Sequence, residues 1–282
     1  MVSQEQRRRQ LAREKFLRQQ QRRTDARRKS RIRNSVIASA LGVVLVGSGA
    51  LYATGALEQD DDKTNANAEV TPSAAPTDKA PDPCDKPAGG KAASKTWKKE
   101  PAMSIDKSAK YTMKLDTTCG AIDVALKASA APHTVNSFDF LANKGYFDHT
   151  KCHRLTDQGI YVLQCGDPQG TGAGGPGYTI PDENLKDASL KGNVYPAGTV
   201  AMANQYNAQT QQGRDSGGSQ FFLVYQDSQL PPDYTPFGTV SEAGMKVLKK
   251  IADAGAQPMD PQTGNTAPNA TVVINKATVT KS

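Results

Sequence analysis

From Asn34 to Leu57 the chain carries no charged residue, and Val, Leu, Ala and Gly dominate the run. At about 1.5 Å per residue, a helix of this length spans a bilayer core about 30 Å thick. The flanking residues are too polar to supply a soluble core around it. The run therefore predicts one transmembrane helix over 34–57 and separates the chain into parts that fold independently. A cleaved signal peptide is the alternative, but the basic lead over residues 1–33 is long for one.

Residues 1–33 hold 13 Lys/Arg against 3 Asp/Glu, a local balance of +10 in a chain of net charge +7. The remainder is thus −3, and the high pI belongs to the tail alone. The tail has no Gly or Pro and few apolar residues (Leu11, Phe16, Leu17), so it reads as a solvated basic segment suited to anionic lipid headgroups. Phosphate neutralisation would bind nucleic acid without specificity, and no specific nucleic-acid partner is expected. Arg-rich flanks stay cytoplasmic. The layout predicts a single-pass cell-membrane protein with a cytoplasmic N-terminus and an extracytoplasmic C-terminal domain.

Residues 58–107 are rich in Ala, Pro, Asp, Lys and Thr and poor in large apolar side chains. Such a segment cannot offset its ordering entropy by burial, which predicts a disordered linker. Trp97, the single tryptophan, lies near its end.

Residues 108–282 change character. Tyr111–Thr117 and Ala121–Leu126 alternate apolar and polar residues around a Thr118-Cys119-Gly120 turn, the pattern of a hairpin. Apolar residues at Val135, Phe138, Leu141 and Ala142, with Pro132 before and Gly145 after, predict a helix. Met245–Ala254 predicts a second, with Val247, Leu248 and Ile251 inward. Strands are expected at 199–204, 220–225, 237–240 and 271–279. Many short strands and two helices in so short a stretch suggest a mainly β, closed or nearly closed antiparallel barrel with helices at its ends.

Familiar chemistries fail one by one. His149 and His153, placed on one strand, would stand about 13 Å apart, too far to share a metal, and no metal is expected. Gly170–Gly175 fits G-x-G-x-x-G, but Pro176-Gly177 follows where a helix should start. Gly217-Gly218-Ser219-Gln220-Phe221 lacks the last glycine of a nucleophile elbow. Cys84, Cys119, Cys152 and Cys165 allow three disulfide pairings, among which sequence cannot choose.

What remains is Cys152–Asp167. Two strands joined through Asp157-Gln158-Gly159 would bring Arg154 and Gln164 to one face. Candidate companions are Tyr161, Val162, Met202, Phe222, Leu230 and Tyr234, with Asn204 and Gln220 as polar partners. An uncharged pocket with one arginine suits a neutral, apolar substrate whose reaction needs no nucleophile.

The same residues carry a resemblance. Cys152-His153-Arg154, Gln164-Cys165-Gly166-Asp167, Ala201-Met202-Ala203-Asn204, Gly218-Ser219-Gln220-Phe221-Phe222 and Phe237-Gly238 resemble, in order and spacing, motifs of the cyclophilin family of peptidyl-prolyl isomerases. The layout of tail, span and linker is similar to membrane-anchored actinobacterial members. The resemblance implies an eight-stranded antiparallel barrel capped by two helices, with no cofactor. It implies that Arg154 is catalytic and that Tyr161, Val162, Gln164, Met202, Ala203, Asn204, Gln220, Phe222, Leu230 and Tyr234 bind proline-containing polypeptides. It further implies rotation of X–Pro bonds in service of extracytoplasmic protein folding, with a non-catalytic proline-binding module as the alternative. The segment between Arg154 and Gln164 is two residues longer than in the common eukaryotic form, and the tryptophan that usually precedes Leu230 is replaced around Gln229.

Overall fold

The alternating residues Tyr111–Thr117 (β1) and Gly120–Leu126 (β2) pair along their whole length, with Met113, Leu115, Ile122 and Val124 buried on one face. This computed structural model describes residues 81–260 and 264–282. The chain continues through helix α1 (Pro132–Asn143), strands β3 (Thr150–Lys151), β4 (Arg154–Gln158) and β5 (Ile160–Cys165), and then β6 (Val194–Tyr195) and β7 (Thr199–Met202). It ends with β8 (Phe221–Val224), β9 (Ser228–Gln229), β10 (Pro236–Val240), helix α2 (Glu242–Asp253) and β11 (Val273–Lys281).

The main sheet is antiparallel in the order β3-β11-β1-β2-β10-β7-β8-β5-β4, and β6 pairs with β9 separately. Its edge strands β3 and β4 follow one another in the chain. The sheet therefore curls into a half-barrel whose edges are tied by Cys152-His153. Cys152 N–H donates to Val272 O at 3.0 Å and Leu155 N–H to Thr266 O at 2.7 Å, fixing this junction to the segment that enters β11. Among the described residues there are eleven strands, nine of them in the main sheet, where an eight-stranded barrel was expected. The stretch 150–158 changes partner midway, from β11 to β5, and so counts as two strands.

Both expected helices are present. Helix α1 buries Val135, Phe138 and Leu141. It has no side-chain cap of its own; the Glu183 carboxylate accepts from the His133 and Thr134 N–H groups at 3.0 and 2.9 Å. Those N–H groups have no partner within the helix, and an anion there is favoured by the helix dipole. Helix α2 is capped by Ser241, whose Oγ accepts from Gly244 N–H at 3.1 Å, and it buries Leu248 and Ile251.

Alternation along β5, β7 and β8 sends side chains to two cores. Leu163, Val200, Met202, Phe221 and Leu223 join the main core. Val162, Ala201, Phe222 and Val224 point the other way and form a smaller cluster with Tyr195. Residues 81–107, expected to be disordered linker, have no regular secondary structure but are packed on the domain. Cys84 is disulfide-bonded to Cys119, and Trp97 lies 5.2 Å from the Phe140 ring and 5.8 Å from that of Tyr146. The Trp97 N–H donates to Pro176 O at 2.8 Å, and Ser104 N–H to Asn136 Oδ1 at 2.8 Å. The covalent bond and one large aromatic supply what the composition lacks. The basic tail, the expected transmembrane helix and residues 58–80 lie outside the described residues. Among those described, no helix is long and apolar enough to cross a membrane.

Candidate active site

The β4–β5 hairpin places Arg154 directly opposite Gln164 in the ladder. The two residues added in this connection are absorbed without a bulge, since Gln158 pairs with Ile160 around Gly159. Gly159 takes φ +74, a left-handed conformation that costs glycine little. Arg154 Nη1 donates to Gln164 Oε1 at 3.4 Å, Gln164 Nε2 to Gln220 Oε1 at 2.9 Å, and Gln220 Nε2 to Gly174 O at 2.9 Å. The amides thus form a directed relay that leaves the guanidinium beside the smaller core. No carboxylate pairs with Arg154 among the described residues.

A cavity of about 140 Å³ opens there. Arg154, Gln164 and Asn204 give it polar edges, and Ile160, Val162, Ala203, Phe222, Leu230 and Tyr234 line the rest. Phe222 and Tyr234 meet edge to face at 5.4 Å, and the Tyr195 hydroxyl donates to Tyr234 O at 2.7 Å. Burial pushes the phenol pKa values of Tyr195 and Tyr234 upward, so both stay neutral. The Asn204 side chain is committed to structure: its Nδ2 donates to Asp233 O at 2.8 Å and its Oδ1 accepts from Tyr206 N–H at 3.1 Å. Its backbone N–H and C=O form no hydrogen bond among the described residues.

A second cavity, about 390 Å³, shares Gln164, Ala203 and Asn204 with the first. Gln220 lies here rather than in the smaller cavity, opposite the glycine-rich segment 172–177. Buried Asp167 organises that segment by accepting from the N–H groups of Gln169, Thr171, Gly172 and Gly174 at 2.7–3.1 Å. Burial alone would raise the Asp167 pKa, but these donors outweigh it and hold the group below its ordinary value. A Cβ on Gly174 would stand 2.0 Å from Asp167 Oδ1, so the close approach requires glycine.

Two expected site residues fall elsewhere. Met202 faces the main core, since on β7 it alternates with Ala201 and Ala203, which face the cavity side. Tyr161 alternates with Ile160 and Val162 and pairs instead with Tyr225, ring centroids 5.9 Å apart. Adjacent strand residues cannot share a face, and Ile160, overlooked in sequence, takes the place on the cavity wall. Alternation through Val162 and Gln164 already implied it. Apart from Gln220, which lines the adjoining cavity, the remaining members, Arg154, Val162, Gln164, Ala203, Asn204, Phe222, Leu230 and Tyr234, are brought together.

The hairpin is clamped beside the site by the Cys152–Cys165 disulfide. Between Cys152 and Arg154 lies His153, 6% exposed, with neither ring nitrogen hydrogen-bonded among the described residues. Burial, the largest influence, lowers its pKa; nearby Arg154 adds to this and Asp167 opposes it.

The model of the family described as cyclophilin type peptidyl-prolyl cis-trans isomerase/CLD matches residues 112–279. A probable peptidyl-prolyl cis-trans isomerase B of Mycobacterium leprae is 43% identical over 197 residues, covering 67% of this chain and 59% of that protein. The protein of the same description from Mycobacterium tuberculosis is 46% identical over 155 residues, covering 52% and 48%. Peptidyl-prolyl cis-trans isomerase B of Bacillus subtilis is 38% identical over 135 residues, covering 47% of this chain and 83% of that protein. The chain thus spans about half the length of the mycobacterial relatives it matches.

Proposed function

This chain belongs to the cyclophilin-type peptidyl-prolyl cis-trans isomerase family, and from that premise we propose that its domain catalyses rotation about X–Pro peptide bonds. The observation that carries the reading is the Arg154 guanidinium, free of any carboxylate among the described residues and set on the wall of an otherwise largely apolar cavity.

An X–Pro bond rotates slowly because amide resonance gives a barrier of about 18–20 kcal/mol. At the twisted transition state the resonance is lost and the prolyl nitrogen regains a lone pair. Arg154 donates to that nitrogen, an interaction absent from either planar form, which is the difference catalysis requires. Phe222, Leu230, Val162 and Tyr234 seat the pyrrolidine ring. Gln164 holds the guanidinium, and the free backbone groups of Asn204 hold the substrate chain. No covalent intermediate is needed.

The partners are proline-containing polypeptides. The uncharged run over 34–57 and the Arg-rich residues before it support a single membrane anchor with the isomerase domain outside, where it assists the folding of exported proteins. Protease treatment of intact cells tests this orientation. The activity is tested by exchange NMR on an Ala-Pro peptide: catalysed cis–trans exchange supports the reading. Binding without faster exchange would make the domain a proline-binding module instead.

A further inference from the structure

Residues 205–216 lie between β7 and β8, and Tyr206 is their only large apolar residue. Burial cannot order so polar a loop; hydrogen bonds fold it on itself instead. Gln205 N–H donates to Ser216 Oγ at 2.8 Å and Asn207 N–H to Gln212 O at 2.9 Å. Arg214 then fastens the loop to its surroundings. Its guanidinium carbon lies 3.4 Å from the Tyr206 ring centroid. Arg214 Nη1 donates to Asp182 Oδ2 and to Asp233 O, both at 3.4 Å, and Nη2 pairs with Asp233 Oδ1. The two carboxylates are 8% and 18% exposed, so these pairs are screened less than they would be on an open surface. Asn204 draws on the same two residues: its Nδ2 donates to Asp233 O at 2.8 Å and to Asp182 Oδ1 at 3.4 Å.

We propose that Arg214 is a positioning residue for the isomerase site, holding the backbone of Asn204 and the ring of Tyr234 where they meet the substrate. The inference rests on the isomerase reading, which gives those two groups their task. Arg214 lines neither the proline cavity nor the one beside it, so it acts through its partners. Asp233 directly precedes Tyr234 in the chain, and Asp182 and Asp233 together hold the Asn204 amide. One cation thus ties the residue before Tyr234 to the acceptors that fix Asn204. The planar fork lets a single side chain meet two carboxylates while stacked on a ring. Asn204 and Tyr234 grip planar and twisted substrate alike, so loosening them weakens binding and leaves the rotation step alone.

The full chain and its Arg214→Gln, Arg214→Lys and Asp233→Asn variants are compared on an Ala-Pro peptide. Exchange NMR over a range of peptide concentrations gives kcat and KM, and titration of the same samples gives Kd. Arg214→Gln raises KM and Kd about three- to fivefold with kcat unaltered. Arg214→Lys, which restores the charge without the fork, falls in between. Asp233→Asn shifts the net charge the opposite way and still raises KM, because it cuts the same tie. A general loss of folded protein would instead lower the apparent kcat at constant KM, and that result overturns the proposal. So does an unaltered KM in Arg214→Gln, or a lowered KM in Asp233→Asn. If the parent chain binds the peptide without speeding exchange, the isomerase reading fails and the Kd comparison alone decides the role of Arg214; no binding at all overturns both.

Discussion

Gln164 faces Arg154 across the β4–β5 ladder with both ends of its amide engaged, the oxygen accepting from Arg154 Nη1 and the nitrogen donating to Gln220 Oε1. The guanidinium is therefore aimed by a neutral neighbour and keeps its full charge for the substrate.

Replacing that neighbour by a carboxylate should be worse than its size suggests. Gln164→Glu pairs ionically with Arg154 and sets a carboxylate oxygen against Gln220 Oε1. The kcat/KM for a proline peptide is expected to fall about tenfold or more, in line with about 1.4 kcal/mol for each decade. Gln220→Leu, one step further along the relay, should cost less. Exchange NMR on both variants measures the order.

The Cys152–Cys165 bond closes a loop of 13 residues around the hairpin that carries Arg154 and Gln164. A loop of that size is worth about 3 kcal/mol of stability. The double replacement Cys152→Ala, Cys165→Ala should lower the urea midpoint accordingly. It should also lower kcat under conditions where the variant remains folded, because the arginine's strand is no longer held at its start.

Shortening the chain to begin at about residue 105 removes Cys84 and Trp97, leaving Cys119 unpaired and the Phe140 and Tyr146 rings uncovered. The lost bond spans 35 residues, and its loss and that of the aromatic contacts both lower stability. A chain beginning at residue 81 should melt at a clearly higher temperature than one beginning at 105.

Acid should weaken the fold through His153. Its folded pKa is lowered from an ordinary 6.5, chiefly by burial. Above 6.5 the imidazole is neutral in both states and contributes no pH dependence. As pH falls below 6.5 the unfolded chain takes up the proton first, and stability declines until the folded pKa is reached. His153→Gln should flatten that decline, measured as unfolding free energy between about pH 7 and 5.

Much of this was legible in sequence because strands announce themselves by alternation. The β1–β2 hairpin, both helices and the opposition of Arg154 and Gln164 follow from local pattern alone. Tyr161 and Met202 fall outside the cavity because they are named as apolar neighbours of its residues without regard to strand face; alternation puts Ile160 and the already expected Ala203 on the cavity wall. The glycine-rich segment 170–175 fits G-x-G-x-x-G without the helix that motif needs, and its pattern shows nothing that would order it. Its order comes from Asp167, through backbone donors that leave no trace in side-chain pattern. The strap over 81–107 was illegible for a similar reason: one disulfide and one tryptophan hold a segment whose composition reads as unfolded.

The most direct measurement compares X–Pro exchange catalysed by the intact chain with that of Arg154→Ala, using the same peptide and confirming the fold of each by near-UV dichroism. Loss of one transition-state donor predicts a fall in kcat/KM of about a hundredfold or more, with the folded signal retained. A folded Arg154→Ala protein that turns the peptide over at the unaltered rate would contradict the assignment of the reaction to this guanidinium.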